Sequence, residues 1–163
     1  MEVAVVRRTR FDDSECPVAR SVDAIGDWWS LLIVRDAFDG SRRFGEFQRG
    51  LGVAKNILSA RLRALVAGGI LDSVPASDGG AHHEYVLTDK GRDLFPVIVA
   101  LRQWGEARFF EPGEPHSELT DRRHGLPLRT LEVRAHDGRP LTPDETVVTK
   151  LADDTASHRP RTG

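Results

Sequence analysis

Residues 44–88 read FGEFQRGLGVAKNILSARLRALVAGGILDSVPASDGGAHHEYVLT, and the change of hydrophobic period within this stretch decides the fold. As far as residue 67 the apolar residues recur at helical spacing, and the pair Gly68-Gly69 ends that pattern. Beyond it the pattern becomes strand-like on both sides of a glycine-containing tip, which is typical of a β-hairpin. We therefore predict, in order, a short helix at 44–51, a helix at 54–67, a strand at 70–75, a tip at 77–80 and a strand at 84–88.

Helical patterns flank this stretch on both sides. Upstream, a helix that starts at Pro17 and stops at Gly26 precedes a nearly continuous apolar run at 28–38, which predicts a buried central helix. Downstream, Thr88 or Asp89 is expected to cap a long helix that continues to about Phe110. One face of this long helix carries Leu94, Val97, Ile98, Leu101 and Trp104. The predicted fold class is mainly α with a small β wing (α+β), in the arrangement of a winged helix-turn-helix with a long closing helix.

The texture of the chain changes after residue 110, where prolines become frequent and helical periodicity fades. Residues 131–135 alternate apolar and polar side chains ahead of the turn pair Asp137-Gly138, and residues 146–149 are a second candidate strand. This pattern predicts a small C-terminal β appendage. The predicted domains are an N-terminal arm at 1–15, a main domain at 16–110, and the appendage at 111–163, whose last ten residues are expected to be disordered.

Composition restricts the class of protein. Hydrophobic residues make up 39% of the chain and charged residues 29%, which is typical of a globular protein. The longest apolar runs, such as Leu31 to Val34, fall far short of the roughly 18 residues that span a bilayer. No apolar segment of a signal peptide opens the chain, and a single cysteine, Cys16, excludes an internal disulfide scaffold. We expect a soluble cytoplasmic protein with no membrane partner.

The charge is unevenly spread, although the formal net charge of the whole chain is −2. Residues 11–39 hold seven acids and two basic residues, whereas residues 40–67 hold six basic residues and one acid. Because phosphate neutralisation is short-ranged in salt, this local basic stripe favours contact with nucleic acid despite the acidic total. A solvated helical face is the alternative interpretation.

A helical wheel of residues 54–67 separates two faces. One face, expected to seat the helix on the core, carries Ile57, Leu58, Leu62 and Leu65; the opposite face carries Asn56, Ser59, Ala60 and Arg63. Asn and Arg side chains match the edges of adenine and guanine in the major groove, Ser bonds several groups, and a small Ala permits close approach. A polar solvent face would have the same composition, but the position between a short helix and a hairpin favours a recognition helix. The residues assigned to phosphates are Lys55, Arg43, Arg49 and Arg61.

Several motifs resemble those of HxlR-type winged-helix regulators, which are MarR-like. They are Cys16-Pro17-Val18, the run from Ile25 to Arg35, the run from Arg43 to Phe47, the run from Leu58 to Leu65, the run from Glu84 to Gly91, and Trp104-Gly105. The resemblance covers about residues 16–110 in order. It implies a bacterial homodimeric transcription factor with the helix after Gly52 in the major groove, the hairpin as a wing, and the helix at 94–110, helped by the N-terminal segment, building the dimer. Two such helices would read a near-palindromic site in double-stranded DNA.

The chain departs from this family pattern in two places. Trp28 stands where relatives often carry a basic residue, which suggests an additional exposed or partner-facing aromatic. The wing tip lacks the Arg or Lys that usually contacts DNA, and His82 and His83 would partly replace it when protonated, which would strengthen binding at lower pH. The alternative is that both are ordinary exposed loop histidines.

Cys16 aligns with a position that several redox-sensing relatives use. A helix N-terminus directly after it favours the reactive thiolate, whereas the neighbouring Asp12, Asp13 and Glu15 disfavour it. Without a second cysteine, oxidation would give a Cys16–Cys16 bridge between subunits or a mixed disulfide with a small thiol. The residue is therefore a candidate redox sensor, and a packed structural role is the alternative.

Signatures of catalysis are absent from the sequence: it contains no phosphate-binding loop, no HExxH and no GxSxG. His116, His124 and His136 lack thiolate companions and make a poor zinc set. We expect neither an enzyme nor a metal or cofactor. The expected function is a homodimeric, sequence-specific DNA-binding regulator that responds to a small-molecule or redox signal. We expect it to repress transcription rather than to activate it. The alternative is a winged-helix protein repurposed for small-molecule or protein-partner binding, with weakened DNA reading.

Overall fold

A computed structural model describes residues 10–11 and 13–149 of the chain. Most of the predicted N-terminal arm, and all of the predicted disordered end, lie outside these residues. The elements are α1 (Pro17–Ile25), α2 (Trp28–Phe38), α3 (Phe44–Leu51), α4 (Lys55–Ala67), β1 (Leu71–Pro75), β2 (His83–Leu87), α5 (Asp89–Arg92), α6 (Phe95–Phe109) and a 3₁₀ turn (Pro143–Glu145). The first four helices and the hairpin confirm the predicted order.

The hydrophobic core forms where α2, α3, α4 and β1 meet. Its fully buried side chains are Ile33, Val34, Phe47, Leu58, Leu62, Leu65 and Leu71. Burying each large apolar side chain contributes about 1.5–3 kcal/mol, so this cluster fixes how α4 is seated on the other helices. The turn before α4 is short because Gly52 ends α3 with a φ of 63°, in the left-handed region that favours glycine.

The hairpin β1–β2 is antiparallel, with Leu71 opposite Leu87 and Pro75 opposite His83. It is joined to the helices by a backbone hydrogen bond in which Tyr85 N–H donates to the carbonyl of Arg42 at 2.7 Å. Gly91 follows the hairpin and packs against it so closely that a Cβ would lie 2.1 Å from the carbonyl oxygen of Ile70. These contacts fix the hairpin beside the N-terminal end of α3.

The prediction of one long helix from residue 89 to about residue 110 is wrong in one respect, because this segment is divided into α5 and α6. Thr88 caps α5 as expected, since its hydroxyl accepts a hydrogen bond from Gly91 N–H at 3.0 Å. The chain departs from the helix at Asp93 and Leu94, because Pro96 has no N–H and its ring would clash with the carbonyl of Arg92. Proline is tolerated at the second position of α6, where the new helix begins.

The chain divides into two compact units, Met1–Leu119 and Thr120–Gly163. The first unit extends past residue 110. Within it, Arg102 on α6 donates a hydrogen bond to the carbonyl of Ser117 at 2.7 Å. No helix in the described residues is long and apolar enough to cross a membrane.

The β pairing in the second unit is sparser than the sequence indicated. Among its described residues it consists of two single antiparallel bridges, Thr120 with Pro127 and Arg134 with Pro140. Each bridge contains a proline, which has no N–H to extend a ladder. The predicted strand at 146–149 is not formed, and the side chain of Val147 is 89% exposed.

Candidate nucleic-acid interface

The two faces of α4 are sharply different in exposure. Leu58, Leu62 and Leu65 are buried, whereas Lys55, Asn56, Ala60 and Arg63 are exposed and Ser59 is half-buried. The structure therefore brings the base-reading residues predicted from the sequence together on one open face. This face has the hydrogen-bonding side chains and the small central residue that entry into a major groove requires.

Ile57 lies elsewhere than predicted. Its side chain is 38% exposed, although the sequence pattern placed it with the core leucines. It precedes Leu58 and is therefore rotated by 100° from it, which places it on the flank of α4. An exposed aliphatic side chain there is suited to the methyl group of thymine.

Arg43, one of the predicted phosphate ligands, is bound within the chain. Its Nη2 donates to the carboxylate of Asp78 at the hairpin tip and lies 3.4 Å from Oε1 of Glu84 on β2. The hydrogen bond and charge of Asp78 raise the pKa of Arg43, and Arg43 lowers the pKa of Asp78 below its usual range. In this structure the guanidinium neutralises acids of the wing.

Glu84 is a buried acid whose pairing with the basic residues before α3 was not predicted from the sequence. It is only 3% exposed, yet it faces Arg42 at 3.4 Å and Arg43 at 3.4 Å, and it accepts a hydrogen bond from the hydroxyl of Ser77 at 3.0 Å. Burial alone would raise its pKa, but the hydrogen bonds of Ser77 and Arg43 outweigh burial, so the pKa is lowered. The sequence did contain a signal for this pairing: two adjacent basic residues at 42–43 and an acid in the second strand of the hairpin.

Arg61 is also paired with an acidic residue of the same chain. Its Nε lies 3.3 Å from Oδ1 of Asp27, the residue that caps α2 by accepting a hydrogen bond from Ser30 N–H at 2.9 Å. Next to this ion pair, Trp28 is largely exposed, in line with the exposed aromatic that the sequence suggested. Arg49, in the last turn of α3, is exposed and can reach solvent or a phosphate.

The wing and the cysteine are both accessible. His82 and His83 are exposed, and Nδ1 of His83 lies 3.3 Å from the hydroxyl of Ser73 on β1. Cys16 is an exposed free thiol at the start of α1, with its backbone N–H donating to the hydroxyl of Ser14 at 3.1 Å. Within a single chain Cys16 is thus not packed in the core.

Large apolar side chains are also exposed on α1 and along α6. On α6 the ring of Trp104 packs edge-on against Phe109 at a centroid distance of 5.0 Å. The exposed residues are Val18 and Val22 on α1, Phe95, Val97, Leu101, Trp104 and Phe109 on α6, and Phe110 directly after it. Apolar side chains exposed along a helix favour a contact with another protein.

Comparison with known proteins agrees with this geometry. The profile of the HxlR-like helix-turn-helix family matches residues 24–112. An uncharacterised HTH-type transcriptional regulator of Mycobacterium tuberculosis is 42% identical over 125 residues, which are 77% of this chain and 79% of that protein. The crystal structure of the transcription-factor candidate PA1607 is 58% identical, with a TM-score of 0.83 over 87% of this chain and 99% of that one. The redox regulator HypR in its oxidised form is 34% identical, with a TM-score of 0.52 over 57% of this chain and 97% of its own.

Proposed function

The chain belongs to the HxlR-like helix-turn-helix family and is a transcriptional regulator, and from that premise we propose that it acts as a homodimeric, sequence-specific DNA-binding repressor in the bacterial cytoplasm. The observation that carries the proposal is the open face of α4. Asn56, Ser59 and Arg63 read bases from this face, and Ala60 lets the helix approach them closely.

Phosphate contacts surround the recognition helix and set its register on the duplex. Lys55 and Arg49 are exposed and bind phosphates directly. Arg43 and Arg61 reach a phosphate after exchanging their present carboxylate partners, Asp78 and Asp27, for a DNA oxygen. His82 and His83 at the wing supply further contacts when they are protonated.

The exposed apolar side chains of α1 and α6 support a dimer. A homodimer buries these side chains and places two α4 helices on one side of the assembly, where they read half-sites about 34–36 Å apart or a multiple of that distance. Trp104→Glu puts a charge among the exposed apolar side chains of α6. In sedimentation equilibrium the wild type is expected to be a dimer and Trp104→Glu a monomer; an unchanged dimer would contradict this interface.

Selection of bound duplexes from a random DNA library tests the whole proposal. Purified protein at two salt concentrations should recover one inverted repeat, and the affinity should fall steeply with salt. Recovery of no sequence by a folded dimer would instead favour the alternative function, a winged-helix protein that binds a small molecule or a protein partner.

A paired substitution identifies the helix that reads the sequence. Asn56→Ala with Arg63→Ala should abolish the preference for the recovered repeat over a scrambled duplex while the dimer persists. Arg108→Ala, which removes an exposed charge from the last turn of α6, is the matched control and should keep the preference. Repression is tested separately by transcription in vitro from a promoter that carries the repeat. The same assay run with and without oxidant tests a redox signal at Cys16.

A further inference from the structure

Of the large apolar side chains on α2, α3, α4 and the hairpin, all within the described residues, only Trp28 and Ile57 are exposed. Trp28 is 79% exposed, although the next residue of the same helix, Trp29, packs against the core. A partner that covers the indole of Trp28 would gain a burial free energy that the single chain leaves unused.

Trp28 lies where the N-terminus of α2 meets one flank of α4. The residue before it, Asp27, has its Oδ1 3.3 Å from Nε of Arg61 in the middle of α4. Ile57 precedes Arg61 by four residues on that helix, and side chains four residues apart share one face. The two exposed apolar residues are therefore neighbours of the same ion pair, one on α2 and the other on α4.

This flank borders the face of α4 that is proposed to read bases. Because successive residues of a helix are rotated by 100°, Ile57 follows Asn56 around the helix, on the side away from Ser59. A helix in a major groove about 12 Å wide has bases in front of it and one DNA strand along each flank. When Asn56 and Arg63 face the bases, the flank that carries Ile57 and Arg61 faces one of the two strands.

The indole of Trp28 is complementary to a DNA strand. An indole combines a large apolar ring with a single donor, Nε1–H, and has no acceptor. A strand offers the C–H groups of a deoxyribose and, directly beside them, phosphate oxygens that only accept hydrogen bonds. The nearby carboxylate of Asp27 is engaged by Arg61 and by Ser30 N–H, which limits its repulsion of a phosphate.

We propose that Trp28 is a DNA-contact residue whose ring packs on a deoxyribose of the strand beside α4 and whose Nε1–H donates to the adjoining phosphate. Ile57 completes the apolar part of this contact. The inference rests on the proposed function, because it requires α4 to lie in the major groove. It adds to that function a contribution to affinity that is independent of salt, since an uncharged side chain releases no counterions.

Affinity for the selected duplex, measured at several salt concentrations, tests the contact. Trp28→Ala should raise the Kd at least threefold at every salt concentration, with unchanged salt slope and sequence preference. Trp28→Phe, which keeps a ring but no N–H, should bind with an affinity between those of the wild type and Trp28→Ala. A smaller loss in Trp28→Ala, a loss that disappears at high salt, or a Trp28→Phe that binds no better than Trp28→Ala overturns the proposal.

Acrylamide quenching of tryptophan fluorescence shows whether DNA covers this indole. The chain contains three tryptophans, and Trp28→Phe isolates the contribution of Trp28. Addition of the selected duplex should decrease the quenching of the wild type and leave that of Trp28→Phe unchanged. No decrease in the wild type, or an equal decrease in both proteins, overturns the proposal.

Trp28→Arg tests the position by adding a charge. An arginine here should neutralise a phosphate and make the salt slope steeper than that of the wild type by about 0.9. Leu126→Arg, which adds the same charge at an exposed apolar residue of the second unit, is the matched control and should keep the wild-type slope. Equal slopes in the two variants overturn the proposal. Failure of the folded wild type to bind any duplex would instead overturn the proposed function, on which this contact rests.

Discussion

Arg61, in the middle of α4, lies with its Nε 3.3 Å from Oδ1 of Asp27, the capping residue of α2. The carboxylate of Asp27 therefore has two roles. It caps the N-terminus of α2, and it pairs with a side chain of α4. The ion pair in this way connects α2 to α4, the helix that we propose contacts DNA.

The capping role predicts different effects for two substitutions of Asp27. Asp27→Ala leaves Ser30 N–H without its acceptor and should lower the free energy of unfolding by about 0.5–2 kcal/mol. Asp27→Asn keeps a side-chain oxygen at the cap and should lose less than half of that amount. Urea denaturation measures both; equal losses would show that the ion pair with Arg61, rather than the cap, carries the effect.

We expect Asp78 at the hairpin tip to compete with DNA for Arg43, because the two side chains form an ion pair. Asp78→Asn removes the charge that holds this guanidinium and should strengthen DNA binding, because Arg43 then neutralises a phosphate. One additional phosphate contact makes the slope of log K against log salt steeper by about 0.9. Asp72→Asn, which removes the same charge from exposed β1, is the control for general electrostatics. An equal gain in both variants would argue against direct competition.

Glu84 predicts a stability that depends on pH. Its pKa in the folded chain is lowered from the usual value of 4.5, so the ionised form stabilises the folded state at neutral pH. This contribution is complete above the unfolded pKa and is lost as the pH falls below about 4.5 through the folded pKa. Glu84→Gln should therefore show a smaller decrease in unfolding temperature between pH 7 and pH 3 than the wild type. Parallel curves for both proteins would contradict the prediction.

Lys55 and Arg63 lie on the same helix but should affect DNA binding differently. Lys55→Ala should reduce the salt slope by about 0.9 without changing the selected sequence, because a phosphate contact carries no base information. Arg63→Ala should relax the preference at one base pair, with a loss of discrimination of about 1–3 kcal/mol. Binding to single-mismatch duplexes at several salt concentrations separates the two effects. A reversal of the two phenotypes would mean that α4 enters the groove in a different orientation.

Cys16 gives a prediction about oxidation. Since its thiol is exposed and the sequence contains no other cysteine, oxidant should produce either a Cys16–Cys16 linked dimer or a mixed disulfide with an added thiol. Non-reducing electrophoresis and mass spectrometry distinguish these products. Cys16→Ser should bind DNA like the reduced wild type and lose any response to oxidant; a response that persists in this variant would exclude the cysteine as sensor.

The break between α5 and α6 shows what local reasoning can still miss. Hydrophobic periodicity from residue 94 onward predicted one continuous helix, but Pro96 and its effect on the carbonyl of Arg92 were readable from the sequence. The sparse pairing of the second unit has a similar origin, since the prolines of both bridges were visible. In both places the prediction relied on the pattern of side chains, whereas the backbone restriction imposed by proline decided the structure.

The sequence by itself determined the order of elements and the open face of α4. Helical period, glycine ends and hairpin turns depend on neighbours a few residues apart, so residues 17–91 could be assigned to the right elements without tertiary information. The positions of Asn56, Ser59 and Arg63 opposite the core leucines follow from the 100° rotation per residue alone.

Only the tertiary structure decided which charged side chains are paired within the chain and where a cavity remains. Arg43 and Asp78 are 35 residues apart in the chain, and their contact depends on how the hairpin packs against α3. The burial of Glu84 and a cavity of about 300 Å³ between α2 and α6 likewise depend on distances between elements. Such distances are set by the packing of the whole core, which a local sequence pattern does not encode.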